Sequence, residues 1–207
     1  MTACDIKAVA FDVDGVLIDC KFPSVLPARL GLDSAELAPF FTGPFKRCVL
    51  GTADLVQEAA PYLDEWGWDG TVSEFLDFWF ETDSSLNATL LQFAGSLTAN
   101  GYRCVIASTQ EAHRARYLDT ELRLAEHFHD RFYSCRLGVE KPDGAFYRTI
   151  QSSLRLAPEQ LLFVDDQLRH VEGARQVGWN AEHFTPEKDI RALLNPYGLR
   201  ERKSLDA

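Results

Sequence analysis

Five short apolar runs, at residues 6–11, 103–107, 131–135, 161–164 and 179–184, are separated after the first by amphipathic stretches and by short loops. Runs of this length bounded by turn residues read as buried strands. Helices are expected at residues 86–100 with Gly101 closing the last turn, at 110–119, at 143–156, and at 167–177 closed by Gly178. Strands and helices that alternate over such short connections run parallel and cross over right-handed, so the expected fold class is α/β with a doubly wound parallel sheet. Ligands of such a sheet bind beyond the carboxyl ends of its strands.

The stretch from residue 20 to 85 breaks the alternation. It holds no convincing strand, carries three of the four tryptophans (Trp66, Trp68 and Trp79), and has helix starts in capping-box spacing at Asp33 with Glu36 and at Thr71 with Glu74. An all-helical insertion is expected there, dividing the core into residues 1–19 and 86–207. Its aromatic residues Phe75, Phe78, Trp79 and Phe80 are expected to pack together, because an added helical unit needs an apolar core of its own. The charged tail 200–207 is expected to fray.

Charge and cysteine content exclude several functions. With 21 basic and 31 acidic residues the net charge is −10, which opposes binding to nucleic acid or anionic membranes. The amino-terminal segment has neither the basic start nor the long apolar stretch of a signal peptide, so a cytoplasmic location is expected. Five cysteines, at positions 4, 20, 48, 104 and 135, form no close pair and suit neither a disulfide framework nor a zinc knuckle.

Polar groups stand at the ends of the strand-like runs. Asp12 closes the first run, and Asp14 can face the same cavity if the chain turns at Gly15. One carboxylate would attack phosphorus, and the other would protonate the leaving oxygen and later deprotonate water. Ser108, at the end of the second run, would donate to a phosphoryl oxygen, with Thr109 beside it. Lys141 precedes Pro142, which keeps it out of the helix that Asp143 can cap, and its ammonium would offset the repulsion between Asp12 and an anionic substrate. Asp165 and Asp166 end the most apolar run, where adjacent acids are costly unless a cation or donors hold them; magnesium suits such an oxygen site beside a phosphate. Within the insertion, Lys46 and Arg47 next to Phe45 are candidates for contact with the substrate, on a segment at residues 43–50 placed between two helical stretches.

In their order, Asp12 with Asp14, Ser108, Lys141, and Asp165 with Asp166 resemble the four motifs of the haloacid dehalogenase-like hydrolase superfamily, and the layout is similar to sugar-phosphate phosphatases of the alpha-D-glucose-1-phosphate phosphatase type. The resemblance covers nearly the whole chain. It implies a Rossmann-like core with a helical cap at residues 20–85, and a magnesium-dependent phosphatase acting on a small phosphate ester, such as a sugar phosphate, through an aspartyl-phosphate. It implies that Mg2+ is held by the Asp12 side chain, the Asp14 backbone carbonyl and the Asp166 side chain, with Asp165 direct or through water. Relatives often carry asparagine where this chain has Thr109. A phosphomutase would use the same residues and retain the intermediate, whereas a dehalogenase would need neither Asp14 as a proton shuttle nor the acidic pair. A non-enzymatic binding module on the same fold would be expected to have lost one of these charged residues, and none is lost.

Overall fold

In this computed structural model, which describes residues 5–199, β1 (Ala8–Phe11) leads into five helices, α1 (Phe22–Leu30), α2 (Ser34–Thr42), α3 (Pro44–Val49), α4 (Leu55–Glu65) and α5 (Val72–Thr82). The chain then alternates: α6 (Ala88–Ala99), β2 (Arg103–Ser108), α7 (Ala112–Thr120), β3 (Asp130–Tyr133), α8 (Ser134–Leu137), α9 (Gly144–Leu154), β4 (Leu161–Asp165), α10 (Leu168–Gln176), β5 (Asn180–His183) and α11 (Ile190–Leu194). The five strands form one parallel sheet in the order β3-β2-β1-β4-β5. The expected tail 200–207 and Cys4 lie outside the described residues.

Strand periodicity explains the layering. Along β1, Val9 and Phe11 face a cluster with Leu90, Phe93 and Leu97 of α6 and Leu118 of α7, while Ala8 and Ala10 face Phe146 and Ile150 of α9 and Val171 of α10. Both faces of the sheet are therefore covered, as a parallel sheet requires. Phe11 pairs in register with Ile106 on one side and Val164 on the other, so the residues that follow these three strands emerge level. The strand order reverses direction at β1, and the crevice this opens between β1 and β4 is where ligands of such sheets bind.

Helices α1–α5 pack around a separate apolar cluster that includes Phe22, Leu26, Phe40, Leu63, Phe75 and Phe80. Both expected capping boxes are present, at Asp33 with Glu36 and at Thr71 with Glu74. Of the expected aromatic set, Phe75 and Phe80 are buried, while Phe78 and Trp79 are half-buried. Residues 43–50 differ from expectation: they form α3 rather than a connection between helices, because Pro44 sits at the first helical position, where its fixed φ and missing N–H cost nothing. The chain enters and leaves the helical insertion at one place. Asp19 N–H donates to Ser85 O at 3.2 Å, Asn87 N–H donates to Leu17 O at 2.8 Å, and Ile18 bridges Leu86 antiparallel. Cys20, Cys48, Cys104 and Cys135 are all free thiols. No helix among the described residues is long and apolar enough to cross a membrane.

Candidate active site

Asp12, Asp14, Ser108, Lys141, Asp165 and Asp166 meet at the carboxyl edge of the sheet. A cavity of about 620 Å³ opens there, lined among others by Asp12, Asp14, Ser108, Thr109, Lys141 and Asp166. Asp12 follows β1 directly and is pinned to β4 by its N–H, which donates to Val164 O at 2.9 Å.

Lys141 is buried, and its ammonium lies 2.7 Å from Asp12 Oδ1 and 2.6 Å from Asp165 Oδ2. A buried charge persists only when it is paired in this way. Burial works against the ammonium, yet Asp12 and Asp165 hold its titration above the ordinary lysine value. The same burial pushes the Asp12 carboxyl well above the usual carboxylate range, against the pull of Lys141. Asp165 is also buried, but Lys141 and His170 draw its carboxyl below that range. Its oxygens are fully used: Oδ2 on Lys141, and Oδ1 on the Gln167 N–H at 2.7 Å and on His170 Nδ1 at 3.1 Å. Asp165 is thus an anchor for Lys141 and His170.

The open carboxylates are its neighbours. Asp14 Oδ1 and Asp166 Oδ1 are buried without a hydrogen-bond partner. Asp166 approaches the chain so closely at Gly15 that a Cβ there would lie 2.4 Å from Asp166 Oδ2, and Gly15 has φ +76°. Only glycine is at ease in both respects. Among the described residues Asp12, Asp165 and His170 can also bring ligand atoms within 4.8 Å of one another. The engagement of Asp165 leaves Asp12, Asp14 and Asp166 as the set with spare oxygens. An all-oxygen set of this charge, with orphaned buried atoms, fits a hard dication.

Three groups escape a reading of the sequence. Gln110 donates from Nε2 to Asp14 Oδ2 at 2.8 Å and to Ser108 Oγ at 3.0 Å. It can do so because α7 begins at Ala112, two residues later than expected, capped by the Glu111 carboxylate on the N–H groups of His113 and Arg114. Arg114, also buried, donates to Phe80 O and Asp83 O of the insertion and stands 4.0 Å from Asp14 Oδ1. His170 orients Asp165. Their only signal is position, the first two just after a strand end and His170 one turn into the next helix.

The two basic candidates of α3 separate. Lys46 lines the cavity and pairs with Glu140 at 2.9 Å, whereas Arg47 points away to Glu58 at 2.6 Å and does not line it. Thr109 lines the cavity with its Oγ1 buried and unpartnered. Ser108 Oγ, accepting from Gln110, keeps its own hydrogen free to donate.

Comparison with known proteins agrees with this fold. A HAD family enzyme from Bacteroides thetaiotaomicron superposes with a TM-score of 0.78 at 14% identity, covering 91% of this chain and 98% of that one, and the same enzyme has been solved in complex with magnesium and inorganic phosphate. A dehalogenase superposes with a TM-score of 0.67 at 17% identity, covering 89% of this chain and 87% of that one. The Bifunctional epoxide hydrolase 2 of Sus scrofa is 28% identical over 101 residues, which is 47% of this chain and 18% of that protein, so the match spans less than a fifth of its length. The profile of the haloacid dehalogenase-like hydrolases matches residues 6–178, most of the chain, and the protein belongs to that family.

Proposed function

We propose that this protein is a magnesium-dependent phosphatase that hydrolyses a small phosphate monoester through an aspartyl-phosphate on Asp12. The observation that carries this reading is the second carboxylate. Asp14 is held by Gln110 through one oxygen, while the other accepts no hydrogen bond and lines, with Asp12, the same cavity. Halide leaves without a proton, so a dehalogenase would need no group placed to protonate a leaving oxygen.

In this reading Asp12 attacks phosphorus, and the P–O bond to the leaving group breaks as Asp14 gives that oxygen a proton. Asp14, now ionised, takes a proton from water, which attacks phosphorus and releases inorganic phosphate from Asp12. Ser108, Thr109 and Lys141 hold the phosphoryl oxygens from the side of β2 and α9, and Asp165 keeps Lys141 charged and in place. Asp12 and Asp166 through their side chains, with the Asp14 carbonyl, would hold the magnesium ion; when bound, it offsets the negative charge of the acids and the phosphoryl group. The helices of residues 20–85 act as the cap over the site, with Lys46 reaching it.

The test is a screen of purified protein with magnesium against p-nitrophenyl phosphate and a panel of phosphate esters. Phosphate release that disappears in Asp12→Asn supports the reading. Chloride release from 2-chloropropionate with no phosphate released from any ester would replace it with a dehalogenase.

A further inference from the structure

A second cavity of about 450 Å³ lies under the helical insertion and shares Asp14, Cys20 and Thr109 with the catalytic cavity. Its walls include Phe22, Leu26, Leu37, Phe41, Phe45 and Trp79. The rings of Phe41, Phe45 and Trp79 converge, with centroids 5.4 Å apart for Phe45 and Trp79, 5.6 Å for Phe41 and Phe45, and 5.9 Å for Phe41 and Trp79. The three rings touch one another, and all three are only half-buried and line the cavity. Phe45 and Lys46 are consecutive on α3, and they line the apolar chamber and the catalytic cavity respectively.

The polar groups deep in this chamber are already engaged within the protein. Arg114 donates to Phe80 O and Asp83 O, and Glu111 accepts from the N–H groups of His113 and Arg114. Asp83 accepts from the N–H groups of Lys21 and Phe22, and the Gln110 amide is spent on Asp14 and Ser108. Ser34 and Thr42 are exposed at the rim, and the Thr42 hydroxyl donates to Ala38 O. The buried lining atoms that lack a partner, Asp14 Oδ1 and Thr109 Oγ1, both stand at the mouth shared with the catalytic cavity.

We infer that the substrate is the phosphate monoester of an apolar, long-chain alcohol, whose hydrocarbon lies in this chamber while its phosphate occupies the catalytic cavity. The inference rests on the phosphatase reading and deepens it. Asp14 must touch the oxygen that leaves, and Asp14 lines both spaces, so the carbon bonded to that oxygen stands at the chamber mouth. A sugar reaching past the mouth would bring several hydroxyls against apolar walls whose deep polar groups are already engaged, each group left unpaired lowering affinity about tenfold or more. A methylene placed there gains about two- to fourfold. The leaving group assigned here therefore differs from the sugar that the motif layout suggests. The reaction itself is unchanged: water supplies the oxygen of the released phosphate, and the alcohol departs with the proton from Asp14.

The test is a homologous series of ethyl, butyl, hexyl, octyl and decyl phosphate, each below its micelle concentration, beside glucose 1-phosphate and glucose 6-phosphate, with p-nitrophenyl phosphate as a general phosphatase probe. The expected result is a kcat/KM that rises about two- to fourfold per methylene before it levels off, with both glucose esters below octyl phosphate. Ala38→Trp, which adds bulk to the chamber wall, should lower the octyl-to-ethyl ratio of kcat/KM at least about tenfold. Release of phosphate from the esters with no dependence on chain length, or with glucose esters preferred, overturns the inference and leaves the phosphatase reading standing. A rising series with an unchanged ratio in the Ala38→Trp protein moves the hydrocarbon elsewhere and overturns the chamber assignment. No phosphate from any ester, p-nitrophenyl phosphate included, overturns the phosphatase reading itself.

Discussion

Asp12 and Asp14 differ in what surrounds them, and the difference separates the effects of removing each. Asp12→Asn keeps the shape of the side chain but cannot attack phosphorus, so turnover should vanish while the thermal unfolding midpoint stays near that of the parent. Asp14→Asn retains the nucleophile and loses the proton donor; kcat should fall about 10²- to 10⁴-fold, and a loss below about tenfold would assign the proton transfer to another group. Gly15→Ala tests the close approach of Asp166. The added Cβ meets the carboxylate at a positive φ, so stability should drop by about 1–3 kcal/mol, read from a denaturant midpoint. An unchanged midpoint would show that Asp166 can turn aside. The motif residues other than Lys141 were legible because a polar group at the end of an apolar run stands out, and Lys141 because it precedes Pro142 in its place between the other motifs. Gln110 and Arg114 were not legible, since a glutamine and an arginine near a helix start are unremarkable until the fold brings Asp14, Ser108 and the carbonyls of Phe80 and Asp83 to them.

Among the elements, α1 depends on a residue far along the chain. Its cap residue Lys21 makes no side-chain cap bond, and the N–H groups of Lys21 and Phe22 go to Asp83 Oδ1 at 2.6 and 2.9 Å. Asp83→Ala orphans both donors and should cost about 1–3 kcal/mol, with proteolytic cleavage near residues 20–23 appearing earlier than elsewhere. Resistance equal to that of the parent would show that water replaces the carboxylate. Strands and core helices were readable from period and stop signals, and the capping boxes located the starts of α2 and α5. Helix α3 was hidden because a six-residue helix between Gly43 and Leu50 carries too little pattern to separate it from a turn.

For the molecule as a whole, the proposed metal would link folding to activity. Chelation should abolish turnover, and magnesium at about 100 times its dissociation constant should stabilise the folded state by about 2.7 kcal/mol, seen as a rise in melting temperature. Asp166→Asn should remove that rise; a magnesium-dependent shift that survives the substitution would place the ion elsewhere. The doubly wound arrangement was visible in the alternation of strand and helix patterns, which parallel pairing nearly dictates. The apolar chamber was invisible, because Phe41, Phe45 and Trp79 have the composition of any core, and only their incomplete burial sets them apart.

The adjacency of the two chain crossings at Asp19 with Ser85 and Leu17 with Asn87 has a topological consequence. The sheet sees the whole insertion as one closed loop whose ends are already held together. Loop-closure entropy grows only logarithmically with length, about 0.6 kcal/mol for each doubling. Helices can therefore be lengthened, shortened or exchanged between these crossings at little entropic expense to the sheet, so a new leaving group can be accommodated by grafting a different segment while β1 and Asp12 stay where they are.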